Sequence, residues 1–225
     1  MQAAMSWLTK AWELFRQAPS TLIAMVAFTT ALSLVAQLHP ILGIMLVLAN
    51  PFLTAGFYKT IVLLQQQQAV QFQLIFSVFK EQRYRRIFIR LAGAHLLANI
   101  PLMLLMSELL EQRQAGVVDP VTLFLLAMVL SLVFMLFAYA VAIAYFLNEQ
   151  RLQSILTASL TACWRNVGAL TLFGILSVAL GMLGIVTLGF AFIVIIPLLQ
   201  VAFFLSFSAF FALQLDDSAP AVLEV

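Results

Sequence analysis

Charged residues are scarce in this chain. Only 9% of its 225 residues are charged, against about 25% in an average soluble domain, whereas 64% are hydrophobic. No charged side chain occurs between Arg165 and Asp216, a stretch long enough for two membrane spans at about 20 residues each. Because these apolar runs are continuous rather than alternating, they predict an all-α integral membrane protein and not a β-barrel.

The sequence has a single cysteine and lacks the residue patterns of several known catalytic sites. The single cysteine, Cys163, excludes an intramolecular disulfide and a Cys-rich metal or cluster site. The sequence holds no phosphate loop, metalloprotease helix or serine elbow, and no pair of carboxylates within a span. The net charge of +2 is too small to indicate nucleic acid binding. We therefore predict a protein that is not an enzyme, with no catalytic residue, metal, cofactor or nucleic acid partner.

The apolar runs divide into six predicted transmembrane helices. Polar or turn-forming residues separate the runs, among them His39-Pro40, the glutamines 65–68 and the charged segment 111–120. The predicted spans are 21–37, 41–64, 87–110, 121–147, 167–186 and 188–213.

Lysine and arginine indicate the orientation of these spans. If both termini are cytoplasmic, ten of the eleven basic residues fall inside and only Arg113 falls outside. An excess of positive charge on the cytoplasmic side is the usual rule for such proteins. All three tryptophans, Trp7, Trp12 and Trp164, fall at the same boundary, where aromatic rings prefer the headgroup layer. We therefore predict a multi-pass protein of the bacterial cytoplasmic membrane with both termini inside.

An aromatic residue followed by a base closes three amphipathic segments: Phe15-Arg16, Phe79-Lys80 and Trp164-Arg165. Each segment has helical apolar periodicity and precedes a pair of spans. Such helices are expected to lie in the interface and to contact anionic headgroups. The residues predicted for this contact are Trp7, Trp12, Arg16, Lys80, Arg83, Arg85, Arg86, Arg90, Trp164 and Arg165.

The pattern predicts three parallel repeats of one unit, an interfacial helix followed by a transmembrane hairpin. The repeats would cover residues 1–66, 67–148 and 149–215 of a single transmembrane domain, with a tail at 216–225. Spans two and six also share a helix-breaking proline, because Pro51 and Pro197 each follow a glycine by eight residues. Span four lacks this proline, so the alternative is chance similarity between apolar segments.

A few polar residues within the spans are candidate functional groups, because burying them in lipid is costly. His95 and Asn99 share a face of span three. They could form part of a polar path, or could simply bond neighbouring helices. Asn50, Thr54 and Tyr58 follow one another at spacing four in span two, with Gln200 as a counterpart in span six. They could line a ligand cavity or could hydrogen-bond between helices.

Three segments resemble uncharacterised six-span bacterial inner-membrane families, the YciC-like group among them. The first runs from Ser6-Trp7 through Trp12 and Phe15 to Pro19. The others are Pro51 to Gly56 in span two, and Ser159 to Asn166 before span five. The resemblance implies an integral protein of the cytoplasmic membrane and no particular reaction.

Two functions are compatible with these features. The first is a non-enzymatic protein that organises or supports the envelope by binding lipids, another membrane protein or a second copy of itself. The second is a small transporter or channel with a polar path between the hairpins. A transporter requires a wet or ligand-sized cavity at the polar stripes, whereas an organising protein requires a surface for lipid or a partner.

Overall fold

The regular structure of the chain is entirely helical over the residues described by the computed structural model, 2–211, with side-chain burial from Ala4 onward. This part contains nine α-helices and a 3-10 helix, Phe72–Lys80. The α-helices are α1 (Gln2–Gln17), α2 (Pro19–Ala36), α3 (Pro40–Gln65), α4 (Gln82–Gln114), α5 (Pro120–Phe137), α6 (Ala140–Phe146), α7 (Leu152–Arg165), α8 (Val167–Val186) and α9 (Phe192–Phe210). The predicted end of span six, 212–213, and the tail 216–225 lie outside the described residues.

Six helical segments of the described chain are long and apolar enough to cross a membrane, which confirms the predicted class and number of spans. They are α2, α3, α4, α5 with α6, α8 and α9. The largest difference from prediction is α4, whose 33 residues extend beyond 87–110 at both ends. At 1.5 Å per residue α4 is about 50 Å long, whereas the hydrocarbon core is about 30 Å thick, so its ends project beyond the core.

Proline begins three of the spans. Pro19, Pro40 and Pro120 are the first residues of α2, α3 and α5. A proline is tolerated there because the first N–H groups of a helix have no partner within the helix. Side chains pair two of the remaining N–H groups. His39 Nδ1 accepts from Ile41 N at 3.2 Å, and Asp119 Oδ1 accepts from Val121 N at 3.1 Å.

Prolines within the spans do not interrupt the helices that contain them. Pro51 lies inside α3, Pro197 inside α9, and Pro101 inside α4, where the repeat pattern assigns no proline. The break within a span occurs instead at 138–139 in span four, between α5 and α6, where no proline is present. Its cause is therefore a tertiary contact.

The described residues divide into two compact units. The first comprises the described residues up to Ala27, Phe57–Leu74 and those from Ala169 onward. Within it α1 packs along α9, and the Trp7 ring lies edge-on to Phe173 and Phe210 at centroid distances of 6.2 and 5.3 Å.

The second unit comprises Phe28–Gly56 and Ile75–Gly168. Within it α7 packs against α4, α5 and α6, and α4 packs against α5 and α6. The 3-10 helix meets α3 at Gly56, where a Cβ atom would lie only 2.7 Å from the Ile75 carbonyl carbon. This contact is therefore an approach of two backbones.

The three predicted surface helices are α1, the 3-10 helix and α7. Each of them buries one face in the protein. The buried faces include Ala4, Trp7, Ala11 and Leu14 on α1, Ile75 and Val78 on the 3-10 helix, and Ile155, Ser159 and Cys163 on α7. Each also carries a partly exposed aromatic ring: Trp12 is 45%, Phe79 46% and Trp164 71% exposed. Some apolar residues of these helices thus pack in the protein core, while others are exposed to the surrounding medium.

We expect Gly56→Ala to lower the free energy of unfolding by about 1–3 kcal/mol, because the added Cβ would push the Ile75 backbone away from α3. Gly93→Ala in α4 is the matched control. Among the described residues, no atom outside the adjoining backbone of α4 lies within 4 Å of the Cβ position there, and alanine favours a helix by about 0.8–1 kcal/mol over glycine. Equilibrium unfolding in mixed detergent micelles measures both. Equal stability of the two variants would contradict the close approach.

Candidate functional site

Basic side chains are concentrated where the 3-10 helix ends and α4 begins. The first turns of α4 bury Ile87, Phe88, Leu91 and Ala92, which share one side of the helix. The basic residues of this region do not lie on the buried side, and all of their side chains are exposed. We call this group the arginine cluster; it consists of Lys80, Arg83, Arg85, Arg86 and Arg90.

None of the five cations forms an ion pair with a described residue. The guanidinium carbon of Arg83 lies 6.0 Å from the centre of the Tyr84 ring, at the limit for a cation–π contact. The positive charge of the cluster is therefore not neutralised by the described part of the protein and is available to an anion from outside.

The only carboxylate between residues 80 and 90, that of Glu81, contacts α6. Glu81 is the N-cap residue of α4, but its side chain forms no capping hydrogen bond. Its Oε1 atom instead accepts a hydrogen bond from the Tyr145 hydroxyl at 3.1 Å. The Tyr145 ring also packs against Tyr84, with 4.8 Å between centroids. Glu81 thus serves to join α4 to α6.

The predicted polar pair in span three is joined within its own helix. Asn99 Nδ2 donates to the His95 backbone carbonyl at 2.6 Å, one turn earlier in α4. The His95 ring lies edge-on to Phe137 of α5, with 4.9 Å between centroids. The side-chain contact between these spans at His95 is therefore aromatic.

The predicted stripe in span two does not have one environment. Asn50 is exposed and Thr54 is half-buried, whereas Tyr58 is buried and stacks on Phe204 at 4.7 Å. Gln200 in α9 is exposed. Neither Asn50 nor Gln200 forms a hydrogen bond with a described residue. The structure therefore does not gather the predicted polar residues into a single cluster of hydrogen-bonded side chains.

Ser159 accounts for the break in span four. In a continuous helix the N–H of Tyr139 would donate to the carbonyl of Met135. Here the Ser159 hydroxyl lies between them, accepting from Tyr139 N at 3.1 Å and donating to Met135 O at 2.8 Å. A side chain inserted in this way is a known cause of helix kinks. Both backbone groups stay paired although the helix is interrupted.

This bridging role of Ser159 was not predicted, although the sequence carries a signal for it. Ser159 lies four residues after Ile155 and four before Cys163, so it interrupts the buried apolar face of α7 with a hydroxyl group. It is 0% exposed. A fully buried hydroxyl needs a hydrogen-bond partner. Only the tertiary structure identifies that partner as the backbone of another helix.

The predicted interfacial aromatic residues lie in different environments. Trp7 is buried against Phe173 and Phe210, so its ring contacts the protein core. Trp12 is exposed and stacks on Phe15, while Trp164 is 71% exposed. Arg16 and Arg165 are both exposed. Trp12 and Trp164 are thus the tryptophans whose rings the surrounding medium can reach.

The lone cysteine belongs to the interior of the second unit. Cys163 is buried on α7, and this burial raises the pKa of its thiol to about 11. At neutral pH the group is therefore a protonated, apolar side chain rather than a nucleophile. Within residues 2–211, no group of three His, Cys, Asp or Glu side chains is placed to hold a metal ion.

Comparison with protein-family models, with curated proteins and with solved structures found no match to this chain.

We expect Ser159→Ala to lower the free energy of unfolding by about 1–3 kcal/mol, because the Tyr139 N–H and the Met135 carbonyl lose their shared partner in an apolar environment. Thr157→Ala is the matched control on α7. Its hydroxyl is exposed and donates to Gln153 O in the same helix. Unfolding measurements, with hydrogen exchange at the Tyr139 amide, compare the two. Unchanged exchange in Ser159→Ala would contradict the bridging role.

Proposed function

We propose that this chain is a non-enzymatic, multi-pass protein of the bacterial cytoplasmic membrane that organises or supports the envelope by holding anionic lipids at its cytoplasmic face. The arginine cluster carries this proposal, because its five exposed cations have no ionic partner among the described residues. A membrane protein with an acidic surface is the alternative ligand of the same cluster.

The charge distribution along α4 supports an orientation with the cluster in the cytoplasm. The cluster surrounds the N-terminal end of this helix, while Glu108, Glu111 and Arg113 lie near its C-terminal end. The helix is about 50 Å long, so its ends meet opposite surfaces of a bilayer. The strongly basic end belongs in the cytoplasm by the positive-inside rule, and both termini then follow on the same side.

Electrostatics favour an anionic lipid at this position. Each basic residue near an anionic leaflet contributes about 1 kcal/mol of attraction, and salt screens this attraction over about 8–10 Å. The N-terminal end of α4 adds the positive end of a helix dipole. Since the Glu81 carboxylate accepts from Tyr145, one of its oxygens is directed toward α6 rather than toward the arginines.

The three surface helices support the proposed repeat organisation. Each precedes two candidate spans along the chain: α1 precedes α2 and α3, the 3-10 helix precedes α4 and the α5–α6 span, and α7 precedes α8 and α9. We propose that all three lie at the cytoplasmic boundary, where the exposed parts of Trp12, Phe79 and Trp164 would contact the interface. The resemblance to YciC-like proteins is part of the same proposal.

An accessibility tag inserted at Val117 tests the orientation. Gly116 and Val117 are exposed and lie between α4 and α5, so the insertion disturbs no buried packing. We expect a membrane-impermeant reagent to label the tag in spheroplasts without lysis. A tag inserted between Gln67 and Gln68, on the opposite side of the proposed topology, is expected to require lysis. The reverse result would overturn the proposed orientation.

The combined variant Arg83→Gln, Arg85→Gln and Arg86→Gln tests lipid binding. At about 1 kcal/mol per cation, we expect preference for anionic over zwitterionic lipid to fall by up to about 100-fold at low salt. Gentle affinity purification from membranes, with mass spectrometry of co-purifying lipids and proteins, measures the loss. A native mass spectrometry titration with an anionic phospholipid then gives the affinity.

Arg113→Gln is the matched control, because it removes a basic charge from the other end of α4. It is expected to retain the lipid enrichment of the wild-type chain. Enrichment of neither an anionic lipid nor a reproducible protein partner in the wild-type purification would sink the proposal. If the triple variant enriched anionic lipid as strongly as the wild type, the arginine cluster would not be the lipid-binding site.

A further inference from the structure

We propose that Gln200 is the centre of an interface between two copies of this chain, in which two α9 helices pair through their Gln200 carboxamides across a twofold axis. The proposal rests on α9 and is independent of lipid binding at the arginine cluster.

One side of α9 is not covered by the described chain. Val201, Ala202, Phe204 and Leu205 are buried, and α1 packs along this helix. Ile193 and Ile196 are 52% and 37% exposed, and Gln200 is exposed too. These three residues follow the spacing i, i+3, i+7, so they form one stripe along the helix. Gln200 is the polar member of this apolar stripe.

Gln200 lies near the middle of its span. It is eight residues from Phe192 and ten from Phe210, which bound α9. At 1.5 Å per residue these separations are about 12 and 15 Å. A glutamine side chain is too short to reach either headgroup layer from this depth. Its carboxamide must therefore find hydrogen-bond partners within the hydrocarbon core or lose them, which is costly there.

Several polar side chains in or near the spans have a partner within their own helix. In α9 itself, Ser206 Oγ donates to Phe203 O at 2.6 Å and Ser208 Oγ donates to Phe204 O at 3.4 Å. In α4, Asn99 donates to the His95 carbonyl. Gln200 has no partner among the described residues. Its carboxamide is therefore the side-chain group of α9 that needs a hydrogen-bond partner from outside the described chain.

Asn50 is also exposed without a described partner, but its local environment differs. Pro51 lacks an N–H group, so the Val47 carbonyl, three residues before Asn50, has no helical donor. This free acceptor lies within one turn of Asn50 in the same helix. In α9 the corresponding carbonyl released by Pro197 is that of Ile193, seven residues from Gln200 and beyond its reach.

A second copy of the chain fits the Gln200 stripe by chemistry and symmetry. Lipid chains offer neither a donor nor an acceptor. A carboxamide carries both, so two of them related by a twofold axis satisfy each other with two hydrogen bonds. Twofold symmetry is also the commonest arrangement of oligomers. Ile193 and Ile196 then pack against the same residues of the second copy.

Dimerisation of the full-length chain in liposomes tests the proposal. Single-molecule photobleaching at increasing protein-to-lipid ratios gives the dissociation constant. A polar contact between membrane helices is worth about 0.6–2 kcal/mol, so we expect Gln200→Leu to raise this constant about 3- to 30-fold. Gln200→Asn keeps the amide and is expected to restore part of the loss. Asn99→Leu, which removes an amide already bonded in its own helix, should leave dimerisation unchanged.

A cross-linking experiment that keeps Gln200 covers the case in which Gln200→Leu does not fold. In a Cys163→Ser background, Ile196→Cys is expected to form an oxidant-dependent disulfide between two copies.

Three results would overturn the proposal. The first is a chain that stays monomeric at every ratio and forms no such disulfide. The second is a folded Gln200→Leu variant that dimerises like the wild type. The third is modification of Gln200→Cys by a membrane-impermeant thiol reagent, which would place this position in a water-filled path instead.

Discussion

The pairing of backbone polar groups in a medium without water is the constraint on which the rest of this structure depends. Lipid chains supply no hydrogen-bond partner, so each span must be helical. Where a helix is interrupted, another group of the protein must pair with the backbone N–H and C=O groups that lose their helical partners. Proline at the first position of α2, α3 and α5 removes an N–H that would have no helical partner. At the break in span four, the hydroxyl of Ser159 pairs with both the Tyr139 N–H and the Met135 carbonyl. A surface helix thus supplies what the span lacks, which makes α7 part of the transmembrane architecture.

The same constraint explains how much of the fold could be predicted from the sequence. Hydrophobic length alone sufficed for the number of spans, because length is what lipid demands. The break at 138–139 could not be predicted, because its cause is a residue twenty positions away that meets the backbone only after folding. Proline positions predicted helix breaks only in part, since Pro51 and Pro197 leave α3 and α9 unbroken. The role of Gly56 could not be predicted either, because the residues next to it in the sequence do not indicate that the Ile75 backbone packs against it.

For the candidate site, periodicity predicted which residues share a side of a helix and not what covers that side. Asn50, Thr54 and Tyr58 follow a helical spacing, yet they range from exposed to buried, because α3 changes its surroundings along its length. Trp7 and Trp12 lie on one amphipathic helix, but the Trp7 ring is buried in the core and the Trp12 ring is 45% exposed. The exposure of the basic residues between Lys80 and Arg90 was easier to predict, because charged side chains are costly to bury within a span.

Depth in the membrane decides what an unpaired polar group means. The cations between Lys80 and Arg90 have no ionic partner among the described residues, but the ends of α4 extend beyond the hydrocarbon, where water and headgroups solvate them. Their lack of a protein partner is therefore stable and leaves them free to attract anions. Gln200 also lacks a described partner, yet it lies about 12 Å or more from either end of α9, where solvation is absent. The same shortage of hydrogen bonds that is harmless at the boundary is a driving force for association at the centre of the span. The two proposed contacts, lipid at the arginine cluster and a second copy at Gln200, would therefore respond differently to salt, because only the charges at the boundary are screened.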